Sequence, residues 1–577
     1  MPPVKNVSLR VLIIDGYTDE PAGLGVPPYV DVYPRYIAGA VWDHDPQAEV
    51  FYRTIDQARS DPEAIRRISS SCDLSILIAG VTVPGKYLGG APATVKDALS
   101  LPRLLQGHTA ICGPAVRFGF GKGGGSRCEV PPELPSLYEF VISGDPEIVI
   151  SDLLDDDLEG TDPSLEREGW ENVNRFAVRG ARIIEQHPSY PAGLICEIET
   201  YRGCPRALGG GCSFCTEPLH GTPNFRSALG IAREVASLSK SGAVNFRLGR
   251  QPDLLIYGSV DDNGFPAPNP ARLKKLLSSV RRSAPSLKVL HIDNISPATI
   301  FNHPEESEIA LKEIVNYHTP GDVAALGIES ADEEVIRMNN LKVYPEGAFF
   351  AISMINEVGR EQGENGLPQL LPGVNFVYGL PGETKHTYEA NFEFMKKVLD
   401  SGLLVRRINL RQAMVMPSTR LDTFGDHLAR KHKSLFIKHK AAMRSEIDEP
   451  MLKRVLPQLT VLKDVRTELV EGKMTWSRQM GSYPVLVGVP RALPTGQFID
   501  VVVLSHGPRS VGGLPVPLKI NQLGLRELES IPGIGARRAA SLIRSRPFSS
   551  PEDLRLKAKI DLPCIEPLIR FMDFSVV

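Results

Sequence analysis

The stretch that decides how this chain is interpreted is residues 199–215, "ETYRGCPRALGGGCSFC". It places Cys204, Cys212 and Cys215 close together, with the spacing C-x7-C-x2-C. A structural zinc site normally uses four ligands, and only three are local here. Three thiolates on a cubane iron–sulfur cluster leave one iron without a protein ligand, and a substrate or cofactor can bind there. The spacing therefore predicts a cluster with an open iron, with zinc as the alternative.

The composition is that of an ordinary globular protein. The chain has 577 residues, which predicts three to five domains. Its net charge of −3 creates no global field toward nucleic acid or anionic membranes. The start shows no signal peptide, and no apolar run is long enough to span a bilayer. We expect a cytoplasmic protein without a membrane partner, where clustered cysteines are metal ligands or redox groups rather than disulfides.

Apolar strands that alternate with helical stretches predict an α/β fold. Residues 1–150 are expected to form a Rossmann-like open parallel sheet, followed by an acidic linker over 151–192. Six candidate strands over 193–421 predict a partial (β/α)6 barrel. In β/α barrels the functional residues follow the carboxyl ends of the strands. The cysteine cluster follows the first of these six strands.

The remaining third of the chain divides into three segments. Residues 422–470 form a basic helical segment, 471–520 a small β-rich domain, and 521–577 a helical end. Within the first, residues 430–444 hold six Lys or Arg and no carboxylate. A charge run of this kind is usually a solvated helix face, and the alternative is a patch that contacts phosphate.

The stretch "RGCP…CSFC", followed by "HGTPNFRS", resembles the radical S-adenosylmethionine (SAM) enzymes, whose usual array is C-x3-C-x2-C. The longer first gap here, "ALGGG", is absorbed by glycines, which adopt positive φ at little cost. The resemblance implies a [4Fe–4S] cluster on Cys204, Cys212 and Cys215, with SAM as the second cofactor. It also implies reductive cleavage of SAM to a 5′-deoxyadenosyl radical, and an electron donor of the flavodoxin or ferredoxin type.

The same resemblance implies a set of residues around SAM, and it identifies no catalytic residue. Phe214 stands where the family has an aromatic residue on the adenine. Gly249 and Gln251 stand in a segment that meets the methionine amino group, where glutamine replaces the family's glutamate. The residues implied near ribose, carboxylate and adenine are Glu329, Ser330, Val377 and Gly379.

Residues 1–150 resemble both the cobalamin-binding domain of one radical SAM subclass and the amino-terminal domain of methylthiotransferases. The loop "IDGYTDEPAGLG" has no histidine to ligate cobalt, so we expect no histidine-ligated cobalamin, whereas binding without a protein ligand stays open. A second cluster would need Cys72, Cys112 and Cys128. We expect these three, Cys196 and Cys564 to be buried, inert thiols.

The carboxyl-terminal segments suggest nucleic acid. "LESIPGIGARRAASLIRSR" resembles the helix-hairpin-helix motif, in which amides around Gly533 and Gly535 meet a phosphate and Arg537 and Arg538 add charge. Such hairpins also serve as packing modules. The β-rich segment resembles the small RNA-binding barrel of methylthiotransferases.

These patterns predict a radical SAM enzyme that modifies a nucleic acid, with RNA, above all tRNA, as the first choice. One alternative is a cobalamin-assisted methylase of a small molecule or protein. Another is a nucleic-acid-binding factor that carries SAM and a cluster without catalysis.

Overall fold

The computed structural model describes residues 8–18, 25–80, 89–121, 123–260, 264–558 and 565–575. The middle of the loop considered for cobalamin, and Cys564, lie outside these ranges. Within them the chain is a mixed α/β protein with parallel sheets, as predicted.

The amino-terminal part is a five-stranded parallel sheet. The strand Arg10–Asp15 is flanked by Glu49–Thr54 and Leu74–Ile78, so the strand order reverses beside it. Strands buried on both faces read as continuous apolar runs, and both "RVLIID" and "LSILI" are almost fully buried. The other two strands are His108–Cys112 and Phe140–Val141, and the helices of this part are Val32–His44, Ile55–Ser60, Pro62–Ser69, Val95–Ser100, Leu101–Leu104, Pro114–Phe118, Leu134–Leu137 and Pro146–Asp155.

The central part holds two four-stranded parallel sheets. In the chain, the last strand of the first sheet and the first strand of the second are separated by Asp293 alone. All six strands predicted between residues 193 and 421 are present. In spatial order the strands are Tyr29–Val30, Ile195–Glu199, Asn245–Gly249, Val289–Ile292, then Asn294–Ile295, Asp322–Glu329, Leu370–Tyr378 and Arg407–Gln412. The helices that follow these strands are Ala207–Gly209, Glu217–His220, Ala228–Lys240, Leu254–Ile256, Pro270–Ser283, Pro297–Asn302, Pro304–Tyr317, Glu333–Met338, Pro345–Gly359, Lys385–Asp400 and Arg420–Thr423.

The strand Tyr29–Val30 was not expected in this sheet. It belongs to the amino-terminal segment by sequence but pairs with Ile195–Glu199 in the central part. Two residues are too few to show a strand period. The amino-terminal segment is thus joined to the central sheet by backbone hydrogen bonds.

Residues 151–192, for which the sequence predicts an acidic linker, carry the helix Glu171–Gly180 and the turn of helix Ala181–Gln186. Val173 and Phe176 are fully buried. Gly180 allows close approach to the helix Val32–His44, because a Cβ there would overlap the carbonyl of Arg35. Most of the acidic residues precede this helix and are exposed, and the helix packs against helices of both the amino-terminal and the central part.

The small β-rich domain is a closed five-stranded barrel that begins at Val461, earlier than the predicted 471. The sequence missed the first strand because its polar residues alternate with few apolar ones. In order around the barrel, its strands are Val461–Glu471, Met474–Gln479, Leu486–Val489, Ser510–Val516 and Phe498–His506. The basic segment before it is helical over His427–Lys431, Lys433–Ala442, Met443–Asp448 and Glu449–Val455.

A loop of this barrel, residues 480–485, enters the amino end of the central sheets. The Ser482 amide donates to Nδ1 of His291 at 2.7 Å, and the Tyr29 hydroxyl donates to the carbonyl of Gly481 at 2.9 Å. Gly481 has a φ of +145° and lies so close to the His291 ring that a Cβ would overlap it. The loop therefore closes that end of the central part, and we call it the plug loop.

The carboxyl-terminal end holds short helices, Leu525–Glu529, Ala536–Arg544, Pro551–Ala558 and Glu566–Phe571, and a strand pair, Leu518–Lys519 with Met572–Asp573. Gly533 adopts a φ of +83° in the turn between the first two helices, and Gly535, Arg537 and Arg538 are exposed. None of the described helices has the length and apolarity to cross a bilayer.

Replacement of Gly481 by alanine tests the plug loop. We expect Gly481→Ala to lower the free energy of unfolding by about 1–3 kcal/mol, because the new methyl group overlaps His291. Gly496→Ala is the matched control, since Gly496 also has a positive φ, +82°, but no atom lies within 4 Å of a Cβ there. Chemical denaturation measures both, and equal losses would contradict the packing described.

Candidate active site

The three-cysteine loop follows the strand Ile195–Glu199 and is held in place from both sides. Gly210 and Gly211 both have positive φ, as predicted for the lengthened gap. The Asn340 amide donates to the carbonyls of Gly209 and Gly211, at 3.0 and 2.9 Å, and Arg420 donates to the latter at 2.9 Å. The loop is thus fixed by residues that lie far away in sequence.

The backbone at the second cysteine is held as well. The Ser213 hydroxyl donates to Oδ1 of Asn339 at 2.6 Å, and the Ser213 amide donates to the Asn339 carbonyl. The Arg206 guanidinium lies 3.7 Å from Sγ of Cys212. It is the one flanking arginine that touches a cysteine, because Arg202 instead pairs with Asp145 at 2.5 Å.

Cys204, Cys212 and Cys215 are each half-buried and unbridged. Burial raises the pKa of all three thiols, that of Cys204 to about 11, and for Cys212 nearby Lys342 and Arg206 oppose the rise. Among the described residues, no three His, Cys, Asp or Glu side chains converge on a single metal ion. A cubane cluster instead spreads its ligands over different irons, and iron displaces the thiol protons.

Cys212 and Cys215 line a cavity of about 390 Å³, within the range of sites for drug-sized ligands. The cavity runs along the inward faces of the strands Asp322–Glu329, Leu370–Tyr378 and Arg407–Gln412. Their register places the residues in layers: Gly327, Asn375 and Asn409 at one level, and Val377 beside Arg411 at the next. The cavity is also lined by Phe214, Glu329, Lys342, Phe436, Lys440 and Tyr483.

Glu329 lines this cavity and has a perturbed pKa. Burial raises its pKa to about 7, against the opposing effect of Lys342 and Arg411. It also has a φ of +68°, at a bulge in the strand pairing. Strained backbone of this kind is concentrated at functional sites.

The structure brings only some of the predicted SAM residues to the cavity. Phe214, Glu329 and Val377 line it. The Gln251 amide is instead buried and occupied, since its Oε1 accepts from Thr200 at 3.0 Å and its Nε2 donates to the Leu248 carbonyl at 3.2 Å. Three other predicted residues do not line the cavity. The missing Cβ of Gly249 makes room for Glu197, and Gly379 lies against Ala429. The Ser330 hydroxyl accepts a hydrogen bond from the Asp332 amide.

Several lining residues were missed by the sequence analysis. Asn409 and Arg411 alternate with buried Ile408 and Leu410, and this two-residue period would have shown an inward polar face. Tyr483 comes from the plug loop, and no local pattern shows it.

The amino-terminal sheet turns its carboxyl edge toward the cysteine loop. Residues 113–118 and 143–146 of that edge, together with Arg202 and Arg250, enclose a cavity of only about 30 Å³. Four of the expected inert thiols, Cys72, Cys112, Cys128 and Cys196, are buried as predicted. Cys72 precedes its strand and Cys112 ends the next one, so these two lie at opposite edges of the sheet.

Buried ion pairs join this edge to the central part. Arg167 is 6% exposed and meets Asp145, Glu147 and Glu199 at 3.4, 3.5 and 3.0 Å. Burial alone would raise the pKa of Glu199, but Arg167, Arg202 and Arg250 together lower it to about 2. The position of the cysteine loop relative to the amino-terminal sheet thus depends on this charge cluster.

Comparison with known proteins identifies full-length relatives. An uncharacterized protein of Archaeoglobus fulgidus is 43% identical over 95% of this chain and 97% of its own length. An uncharacterized protein of Methanocaldococcus jannaschii is 44% identical over 87% of this chain and 93% of its own. This chain belongs to their family. No family model matches the chain.

More distant likenesses cover part of the chain. A tRNA-2-methylthio-N(6)-dimethylallyladenosine synthase of Rickettsia felis is 20% identical over 56% of this chain and 66% of its own length. Among solved structures, the radical SAM methyltransferase TsrM of Kitasatospora setae has a TM-score of 0.49 at 15% identity, with 72% of this chain and 75% of that chain covered. The cobalamin-dependent SAM radical enzyme OxsB has a TM-score of 0.46 at 11% identity, with 75% and 56% covered.

Removal of the central cation tests the buried charge cluster. We expect Arg167→Met to lower the free energy of unfolding by about 3–5 kcal/mol at neutral pH, because three buried carboxylates lose the cation that they share and Glu147 keeps no other ion pair among the described residues. Arg175→Met removes an exposed pair with Asp43 and should cost about 1 kcal/mol or less.

The pH dependence provides a second readout of the same variant. The folded-state pKa of Glu199 lies below its ordinary value of 4.5, so its contribution to stability is present above that pH and is lost as the pH falls toward 2. Arg167→Met should flatten this part of the stability profile. If stability falls between pH 4.5 and pH 2 as steeply in Arg167→Met as in the wild type, Arg167 does not lower the pKa of Glu199 as described.

Proposed function

We propose that this chain is a radical SAM enzyme whose reaction takes place in the cavity between Cys215 and Tyr483. The observation that carries the proposal is that two cysteines of the C-x7-C-x2-C loop open into the same cavity as Phe214, Glu329 and Val377. These are residues that the family resemblance implies for cluster and cofactor. The cavity has the size of a site for a ligand of this kind.

The residues present fit the two groups. Cys204, Cys212 and Cys215 would hold a [4Fe–4S] cluster and leave one iron for SAM. When bound and reduced, the cluster would supply one electron to the sulfonium of SAM, and cleavage of SAM would yield methionine and a 5′-deoxyadenosyl radical. The protein's own contribution is binding, orientation and exclusion of competing reactions.

Each of these contributions has a residue. The aromatic ring of Phe214 offers an apolar face to a purine. Lys342 lies beside Gly327 and lowers the pKa of Glu329, so it places a positive charge next to the cysteine loop, where a carboxylate of the cofactor would bind. Glu329, with a pKa near 7, can accept a hydrogen bond from an amino or hydroxyl group. The plug loop closes the amino end of the cavity and limits the entry of water.

Loss of one cysteine tests the proposal. After anaerobic reconstitution we expect about four irons per chain and 5′-deoxyadenosine release with dithionite and SAM. The Cys215→Ala variant should bind less iron and release no 5′-deoxyadenosine. The matched control is Cys196→Ala, a buried thiol in the preceding strand that should keep both. Iron binding that is equal in the two variants would contradict the ligand set, and iron without SAM cleavage would favour the non-catalytic binding factor.

A cobalamin-assisted methylase is the second candidate, favoured by the carboxyl edge of the amino-terminal sheet, which faces the cysteine loop. Ligands bind such sheets outside the carboxyl ends, where the strand order reverses, here beside Asp15 and Gly16. The described cavity of about 30 Å³ near Arg202 does not hold a corrinoid. A corrinoid would therefore occupy the edge near Asp15, and we derive no reaction step from it.

The absorption spectrum of anaerobically purified protein, with added hydroxocobalamin and after gel filtration, separates the two candidates. Retained corrinoid at one per chain would favour the methylase. Its absence together with SAM cleavage would favour a radical enzyme without cobalamin. The nucleic-acid substrate is supported by the exposed turn with Arg537 and Arg538.

A further inference from the structure

We propose that the cavity takes a phosphate-bearing substrate, held by a row of cations that leads from Arg411 inside it to Lys440 and Arg509 at its opening. This inference rests on the proposed function for the identity of the reaction, but its binding claim is tested separately. The basic stretch 430–444 therefore has a role besides that of a solvated helix face.

The row starts on the strand Arg407–Gln412. Arg407, Asn409 and Arg411 lie at two-residue intervals and so point to one side of the strand, and Asn409 and Arg411 line the cavity. From Arg407 to Arg411 the strand advances about 13 Å, which is enough for more than one phosphate group. The Arg407 guanidinium lies 4.4 Å from the ring centre of Tyr483.

The row continues on the helix Lys433–Ala442 and beyond it. Phe436 and Lys440 are one helical turn apart and both line the cavity. Lys440 is exposed, so it stands at the opening. Arg509, in the turn between the barrel strands Phe498–His506 and Ser510–Val516, is exposed and lies within electrostatic reach of Lys440.

The cations of this row lie close to one another. Burial, Arg509 and Arg407 lower the pKa of Arg444 to about 9, although Arg444 pairs with Asp448. Burial and then Arg444 and Arg509 lower the pKa of Lys440. In the part of the chain that the structure describes, no ion pair joins Lys440 or Arg411 to a carboxylate. A cluster of like charges is unfavourable in an empty site, and an anion removes the repulsion.

Neutral donors lie among the cations, since Asn409 stands between Arg407 and Arg411 on the strand. Asn375 and Asn409 are register partners on adjacent strands and both line the cavity, as Tyr483 does. Amides and a phenol can bind a sugar or base attached to the phosphate. A substrate anchored by its phosphate at the opening would thus extend toward Cys212 and Cys215.

Two phosphate probes test the proposal on the full-length, reconstituted protein. Calorimetry should show that pyrophosphate and a single-stranded RNA 12-mer bind. We expect the double variant Lys440→Gln/Arg509→Gln to bind both roughly tenfold or more weakly, because charge-assisted hydrogen bonds are lost. The control is Lys438→Gln. Lys438 is an exposed lysine on the same helix as Lys440, but it does not line the cavity, so this variant should keep wild-type affinity.

These measurements distinguish a small phosphorylated substrate from a nucleic acid. They also distinguish failure of the phosphate-binding proposal from failure of the proposed radical SAM activity. Tight pyrophosphate binding that matches RNA would identify a small phosphorylated substrate. RNA binding that falls steeply with salt, and weakens in Arg537→Gln/Arg538→Gln while pyrophosphate binding does not, would identify a nucleic acid. Equal affinity of the double variant and the control, or no binding of either probe by wild type, would overturn the inference. Absence of 5′-deoxyadenosine with intact anion binding would overturn only the proposed function.

Discussion

Arg247 forms buried ion pairs with Glu197 and Asp293, and these side chains fill the interior of the central part beside the sheet that holds Ile195–Glu199 and Asn245–Gly249. All three side chains are at most 1% exposed and come from three adjacent parallel strands or their ends. Burial raises the pKa of Glu197 to about 8 even with Arg247 beside it, which shows how costly the desolvation of this group is. Removal of one partner from such a group leaves an uncompensated charge, so the arrangement is strongly constrained.

The remaining architecture follows from that arrangement. Because charged side chains fill the interior beside the first sheet, the open space lies along the second sheet, where Gly327, Asn375 and Asn409 line it. The plug loop closes the amino end against His291, and the cysteine loop covers the carboxyl end. These two loops bound the cavity, which opens beside the exposed Lys440.

Most of the strands could be predicted from the sequence because buried parallel strands are short apolar runs. The cysteine loop was also predictable, since its residue types and spacing are local. Gln251 does not line the described cavity, because its amide is bonded to Thr200 and to the Leu248 carbonyl, and a sequence pattern does not show such partners. Its place beside the methionine amino group of SAM stays a prediction. The strand Tyr29–Val30 and Tyr483 were missed for a similar reason, since their partners, Ile195 and Asp293, lie far away in the chain.

The central claim is that Cys204, Cys212 and Cys215 leave one iron open to SAM in this cavity. The most direct test is electron–nuclear double resonance of the reduced, reconstituted protein with SAM labelled with ¹⁵N at its amino group. The account predicts a hyperfine coupling from that nitrogen and a changed electron paramagnetic resonance spectrum when SAM is added. A spectrum that is unchanged by SAM, with no nitrogen coupling, would contradict it.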